Sequence, residues 1–391
     1  MNLIERIARK AQVEAALKHL AACSEQVVDT AVAIQQIPAP TFAEARRAAF
    51  IEAQFQAIGL AEVGQDELWN VYGRYPGHKA GRPPVVISAH SDTVFPPETD
   101  LTIRRNGSTV HGPGLGDNST GVAGLLHLAQ TLIKYNLPAA ADIWLVANVG
   151  EEGLGNLRGM RAVADRFGQN AEYIVVEGGL YGQISHQAIG VRRFRIEVAT
   201  EGGHSWGSFG QKNAIHELAR LITVINRLPV PQSPKTTYNV GVIEGGTSVN
   251  TIAASARMLL DLRSEQPAAL DELVTAVSAI VDNARTRLAN DQGCTVTMTQ
   301  IGHRPAGSIP HTQPLVQWAE DALRFVGCSH IAHIAGSTDA NIPLSRGITA
   351  VCIGLTESGN AHRLDEFIDT THLADGMQQL LLLTLAAAGG E

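Results

Sequence analysis

Cysteine is scarce: Cys23, Cys294, Cys328 and Cys352 stand far apart, with no Cys-x-x-Cys pair. That spacing excludes a disulfide framework or a cysteine-rich metal site and reads as reduced, buried thiols in a cytoplasmic protein. Basic residues are outnumbered, 30 Lys and Arg against 38 Asp and Glu, for a net charge of −8. Such a chain lacks the basic footprint expected of a nucleic-acid or membrane-surface binder. No apolar run reaches the ~18 residues of a membrane span. The longest, residues 380–388, is interrupted by Thr384. The first residues mix Glu5 and Glu14 with Arg6, Arg9 and Lys10, without the unbroken apolar stretch of a secretory signal. Gly112-Pro113-Gly114-Leu115-Gly116 lacks both a clear preceding strand and the full dinucleotide fingerprint. What remains is a globular composition, 45% apolar and 17% charged over 391 residues. At about 150 residues per domain it predicts two domains.

Residues 3–11 place Leu3, Ile4, Ile7, Ala8 and Ala11 on one helical face. Helical spacing recurs over residues 25–37, 42–58 and 120–135, with Pro38 and Pro40 separating the first two. Between and after them lie short apolar runs at 85–89, 143–149 and 173–176. Strands alternating with helices predict an α/β sheet, largely parallel. The middle differs. Residues 193–199 alternate through Phe194, Ile196 and Val198; helix 214–228, strands 238–243 and 256–262, helix 270–288 and strand 294–301 follow. That β-α-β-β-α-β order predicts an inserted ferredoxin-like α+β domain with an antiparallel sheet. The first pattern resumes with helix 315–325, strand 350–353 and a last helix from about residue 371, whose 380–385 run is its buried face. The expected division is therefore 1–188 with 304–391, interrupted by 189–303.

The chemistry sits where apolar runs end. Residues 85–89 run into His90-Ser91-Asp92, and 145–149 into Gly150-Glu151-Glu152-Gly153. Residues 174–176 run into Glu177-Gly178-Gly179, and 350–353 lead to a loop that ends at His362. Gly114-Leu115-Gly116 precedes Asp117-Asn118. Taken singly, His-x-Asp is ordinarily a surface turn and Glu-Glu a solvated helix face. Together, delivered to the carboxyl ends of strands where open α/β sheets bind ligands, they point to one site. Two histidines and three carboxylates suit two metal ions about 3.5–4 Å apart that activate a shared water. A further carboxylate must then take that water's proton. Neighbouring side chains diverge, so Glu151 and Glu152 can divide these roles.

With Gly202-Gly203-His204-Ser205 added, these motifs resemble the aminoacylase/carboxypeptidase G family of co-catalytic zinc metallopeptidases and amidohydrolases. The likeness runs in order and spacing from about residue 25 to the end. Residues 190–214 and 336–341 are most similar to the tripeptide-aminopeptidase-like branch. The resemblance implies a zinc-peptidase-type mixed, mostly parallel sheet flanked by helices, with the insert serving as a dimerisation or lid domain. It implies two zinc ions per chain, with manganese or cobalt as substitutes. His90 and Glu177 would bind one ion, Glu152 and His362 the other, and Asp117 would bridge them. Glu151 would be the general base for a metal-bridging hydroxide and then the acid to the leaving nitrogen. Asp92 would hold the His90 imidazole, as metal-bound histidines commonly require. The Asp117–Asn118 peptide bond is implied to be cis.

His204 is implied to stabilise the oxyanion, usually in the partner subunit's active site. Asn250 and Arg263 match positions that bind a substrate carboxylate, Arg263 bidentately. The implied substrate is a small peptide or N-acyl amino acid, acted on by a cytoplasmic homodimer. Glutamate at position 177 is shared with deacylases, so an N-acyl amino acid deacylase stays open beside a peptidase. A catalytically silent peptide- or amino-acid-binding protein is the alternative from another class. His111, His186, His216, His303, His311, His330, His333 and His372 fall in no motif and read as surface or supporting side chains. Trp69, Trp144, Trp206 and Trp318 read as packing residues.

Overall fold

The computed structural model describes residues 1–289 and 293–389, in two compact units: Met1–Ala188 with Ser308–Glu391, and Ile189–Gly307. The return point differs from the expected 303/304 because the last long strand of the second unit, Thr295–Arg304, continues past it.

The first unit is built on a mixed sheet. Its centre is four parallel strands, in the order Ile143–Asn148, Val85–His90, Glu172–Glu177, Ala350–Gly354. These read as near-continuous apolar runs because both sheet faces are covered: every residue of Val85–His90, Ile143–Asn148 and Ala350–Gly354 is buried. The flanks turn antiparallel. Ala61–Gln65 and Val71–Tyr75 extend one side, and Gln183–Ala188 the other, with Ala332–Gly336 parallel beside it. These flanking strands are half polar, so the apolar-run pattern does not reveal them.

Helices flank the sheet. Thr120–Lys134 is buried along most of its length, and in Leu373–Ala387 the residues Leu380 to Leu383 are fully buried. The N-terminal stretch forms two helices, Leu3–Ala8 and Ala11–Ala21, the first closed by a reciprocal capping box between Asn2 and Glu5. A small antiparallel sheet joins Arg104–Asn106, Thr109–His111, Phe367–Asp369 and Glu357–Gly359. It brings residues 357–369 beside the segment that precedes helix Thr120–Lys134. None of the four cysteines forms a disulfide; Cys23 and Cys352 are buried, but Cys294 and Cys328 are only half-buried.

The second unit is an antiparallel sheet of Thr236–Gly245, Ser255–Ser264, Gly190–Ala199 and Thr295–Arg304 in that spatial order. Helices Ala214–Ile225 and Pro267–Leu288 complete the split β-α-β arrangement. Phe194, Ile196 and Val198 pack with Leu218, Met258 and Val277 in its own core. Trp206, expected to pack, is 88% exposed. No helix of the described residues is long and apolar enough to cross a membrane.

Candidate metal centre

Three strand exits, one irregular segment and one loop deliver the site. His90 ends its strand, and Glu177 ends the neighbouring parallel one. Glu151 and Glu152 follow the strand Ile143–Asn148 after one short turn. Asp117 lies in the irregular segment Leu115–Ser119, and the Asp117–Asn118 bond is cis. His362 lies between the strands Glu357–Gly359 and Phe367–Asp369, in the left-handed region at φ 67° that non-glycine residues rarely adopt.

The side chains converge. His90 Nε2 is 2.9 Å from Asp117 Oδ1 and 3.7 Å from Glu177 Oε2. His362 Nε2 is 3.1 Å from Asp117 Oδ2 and 3.2 Å from Glu152 Oε1. His90, Asp117 and Glu152 each offer a ligand atom within 4.8 Å of the others. The other ring nitrogen of His90 faces Asp92, whose backbone oxygen is 3.1 Å away and whose Oδ1 is 3.5 Å away. An imidazole held this way presents Nε2 to the site.

Asp92 is fully buried and does more than orient His90. Its Oδ1 accepts the backbone N–H of Glu151, and its Oδ2 accepts that of Glu152, both at 3.0 Å. Thr41 Oγ1 donates to Oδ2 as well. One carboxylate thus ties two strand exits together. The guanidinium of buried Arg47 fixes the same loop from behind, donating to the backbone oxygens of Ser91 and Ile37.

Two supporting residues were not assigned from the sequence. Buried Glu366 accepts the backbone N–H groups of Gly116 and Asp117 on Oε1 and that of Gly114 on Oε2. It shapes the turn that presents Asp117. Asn118 locks the same turn to the strand exit at Glu177: its Oδ1 accepts from Gly178 N and Gly121 N, and its Nδ2 donates to Val176 O. Asn118 lay inside a quoted motif. Glu366 stands in an unremarkable polar stretch that offered no signal.

The electrostatics match a cation site. Burial, then neighbouring carboxylates, pushes Glu152 and Glu177 up to about 7 despite their histidine contacts. His362 is raised to about 10 by its hydrogen bonds to Asp117 and then Glu152. Burial opposes charge on His90, but its bonds to Asp117, Asp92 and Glu177 outweigh it and hold its pKa well above the usual value. Asp117 is held well below its usual range; burial works against this, and His362 and His90 prevail. Carboxylates crowded around two imidazoles with no lysine or arginine among them form a setting that a divalent cation neutralises.

The remaining expected residues belong to the second unit. His204 pairs across from Thr251, next to Asn250, whose backbone oxygen accepts from Ser205 N. His204 Nδ1 accepts the backbone N–H groups of Trp206 and Gly207, so Nε2 carries the ring proton. Arg263 is not brought to this place. It stands near the far end of the ten-residue strand Ser255–Ser264, roughly 25–30 Å along at about 3.3 Å per residue. There its Nε donates to Asp261 at 2.6 Å.

Comparison with known proteins identifies the family and the fold. The family model described as peptidase family M20/M25/M40 matches residues 86–386. A probable carboxypeptidase of Aspergillus clavatus is 26% identical over 272 residues, 61% of this chain and 58% of that protein. This chain therefore matches little more than half the length of that relative. Among solved structures, a Staphylococcus aureus tripeptidase superposes with a TM-score of 0.77 at 21% identity, covering 94% of this chain and 99% of that one. The dipeptidase Dug1p of Saccharomyces cerevisiae gives 0.77 at 12% identity, covering 96% and 98%. These likenesses are of fold. The family match, spanning most of the sequence and both motif-bearing ends of the first unit, makes the chain a member of peptidase family M20/M25/M40.

Proposed function

We propose that this M20-family hydrolase cleaves one amide bond of a small peptide or an N-acyl amino acid, using two divalent ions held at the strand exits. The observation that carries the reading is Asp117: its two oxygens face two different histidines, and each histidine is accompanied by its own glutamate. His90 with Glu177 would hold one ion, Glu152 with His362 the other, and Asp117 would span both. Two imidazole nitrogens and three carboxylates fit zinc, with manganese or cobalt as substitutes. Buried carboxylates this close together also need a countercharge. Such ions, when bound, supply Lewis acidity and lower the pKa of water.

The chain's own residues supply the rest. Glu151 is buried, and its backbone is anchored by Asp92; it takes the proton from the attacking water and returns it to the leaving nitrogen. His204 provides an Nε2–H donor for the developing oxyanion, and Asn250 beside it binds a polar end of the substrate. We assign dimer formation to the second unit, whose edge strand Thr236–Gly245 leaves Val242 and Ile243 exposed. An exposed apolar edge of this kind favours pairing with a second copy.

The test is release of free amine from dipeptides, tripeptides and N-acyl amino acids, with zinc, manganese or cobalt and a chelator control. Chelator-sensitive release supports the reading. Preference for N-acyl amino acids would select the deacylase, the second reading that Glu177 favours. Silence from folded, metal-loaded protein would overturn both in favour of a binding protein.

A further inference from the structure

A second cluster of metal-ligating side chains lies in the first unit, on residues that the mechanism above does not use. Glu320 is buried on the helix Pro314–Phe325. Two imidazoles meet one of its oxygens. His333, on the strand Ala332–Gly336, brings Nε2 to 2.9 Å from Oε1, and His311 Nε2 contacts the same atom. The three ligand atoms lie within 4.8 Å of one another. The other oxygen, Oε2, is engaged by Arg324 one helical turn on.

A third imidazole stands against this pair. The ring of His186 is centred 5.3 Å from that of His333 and 5.9 Å from that of His311. His186 is the extra residue of a bulge, because Ser185 pairs with Ile334 and Gln187 with Ala335. Bulges re-aim side chains. Its Nδ1 is 2.8 Å from the backbone oxygen of Ile309. An imidazole that donates Nδ1–H to a backbone carbonyl keeps the Nε2 lone pair free for a metal.

We propose that His311, Glu320 and His333 form a second divalent-metal site, separate from the candidate metal centre, that binds zinc, with His186 poised as a fourth ligand. Arg324 engages Glu320 Oε2, which leaves Oε1 facing the two imidazoles. Two histidines and one monodentate carboxylate are a zinc donor set, and His186 or water completes a tetrahedron. Donors around tetrahedral zinc stand roughly 3.3 Å apart at bonds of about 2.0–2.1 Å. The cluster approaches that spacing, and His311 is half-exposed, with room to adjust. Gln317 Nε2 donates to the His311 backbone oxygen at 2.9 Å and lies 3.3 Å from Nδ1, so metal binding through Nε2 requires the Gln317 amide or the His311 ring to turn.

The placement gives the ion a purpose. The chain leaves the first unit after Ala188 and re-enters at Ser308. His186 and His311 stand just inside those two points. An ion here would clip the exit strand, the re-entry segment, the helix Pro314–Phe325 and the strand Ala332–Gly336 to one another.

The full-length chain and the double variant His311→Gln/His333→Gln are each equilibrated with zinc chloride, dialysed against metal-free buffer and analysed for bound zinc. The proposal expects the wild type to retain one more zinc per chain, while the double variant keeps its amide-cleaving activity and its fold. Equal zinc in two folded proteins overturns it. Where the double variant fails to fold, zinc-edge anomalous diffraction from wild-type crystals decides. A peak between the Nε2 atoms of His311 and His333 supports the site, and a peak confined to the Asp117 centre overturns it.

Discussion

Asp92 and Glu152 are joined by a 3.0 Å hydrogen bond from the Glu152 backbone N–H to Asp92 Oδ2, within the same carboxylate that faces the His90 ring. The strand exit carrying one proposed ligand, His90, is thereby referenced to the strand exit carrying another, Glu152. Asp92→Asn keeps the shape but replaces an acceptor with a donor facing backbone N–H groups. Metal affinity or kcat/KM should fall about 10–100-fold, the usual cost of removing a partner behind a ligand. Zinc titration and steady-state kinetics on the variant check this.

Glu151→Gln should leave metal content unchanged, because the proposed ligands are all elsewhere. Turnover should drop by about 10²–10⁴-fold with the loss of the proton acceptor. Metal analysis alongside amine release reads both quantities. Retained turnover would reassign the base.

Glu366→Gln tests the turn that presents Asp117. The carboxylate accepts three backbone N–H groups, and an amide cannot serve all of them while its NH₂ faces donors. A loss of about 1–3 kcal/mol is expected from the stranded buried groups. Denaturant unfolding measures it, and metal affinity should weaken in parallel.

Gly178 has no room for a side chain. An added Cβ would meet the backbone oxygen of Gly116 at 2.2 Å, and its N–H already holds Asn118 Oδ1 at 2.7 Å. Gly178→Ala should push apart the exits carrying Glu177 and Asp117, destabilising the fold by about 1–3 kcal/mol. The thermal midpoint of the metal-free protein and the zinc affinity should both decline.

Within the second unit, His204→Ala should lower kcat by about 10²–10³-fold without loss of metal, as for removal of an oxyanion donor. Arg263→Ala tests the proposed carboxylate-binding role and should raise KM for carboxylate-bearing substrates. Unchanged kinetics would leave Arg263 as the partner of Asp261 alone.

The sequence by itself determined the alternation of buried strands with helices, because an apolar run covered on both faces leaves a local imprint. It also marked the polar residues at the ends of those runs. His90, Glu152 and Glu177 were marked as candidates for that reason, while Asp117 and His362 came from a turn and a loop; the β-α-β-β-α-β order of the middle was legible from its own alternation. The half-polar flanking strands Ala61–Gln65 and Gln183–Ala188 were not, since their pattern carries no comparable contrast.

Tertiary structure alone decided what each isolated polar residue meets. Glu366 resembles any loop glutamate until the small sheet carries it under the turn at Gly114 and Asp117. His186, His311 and His333 belong to no motif, yet a bulge, a chain re-entry and a strand bring their rings together around Glu320. Asn250 and Arg263 share an implied role, and only the fold shows that the strand Ser255–Ser264 runs between them within one chain. Periodicity records which face of an element is buried. It does not record which distant segment packs against that face, because that is set by long-range pairing across the whole sheet.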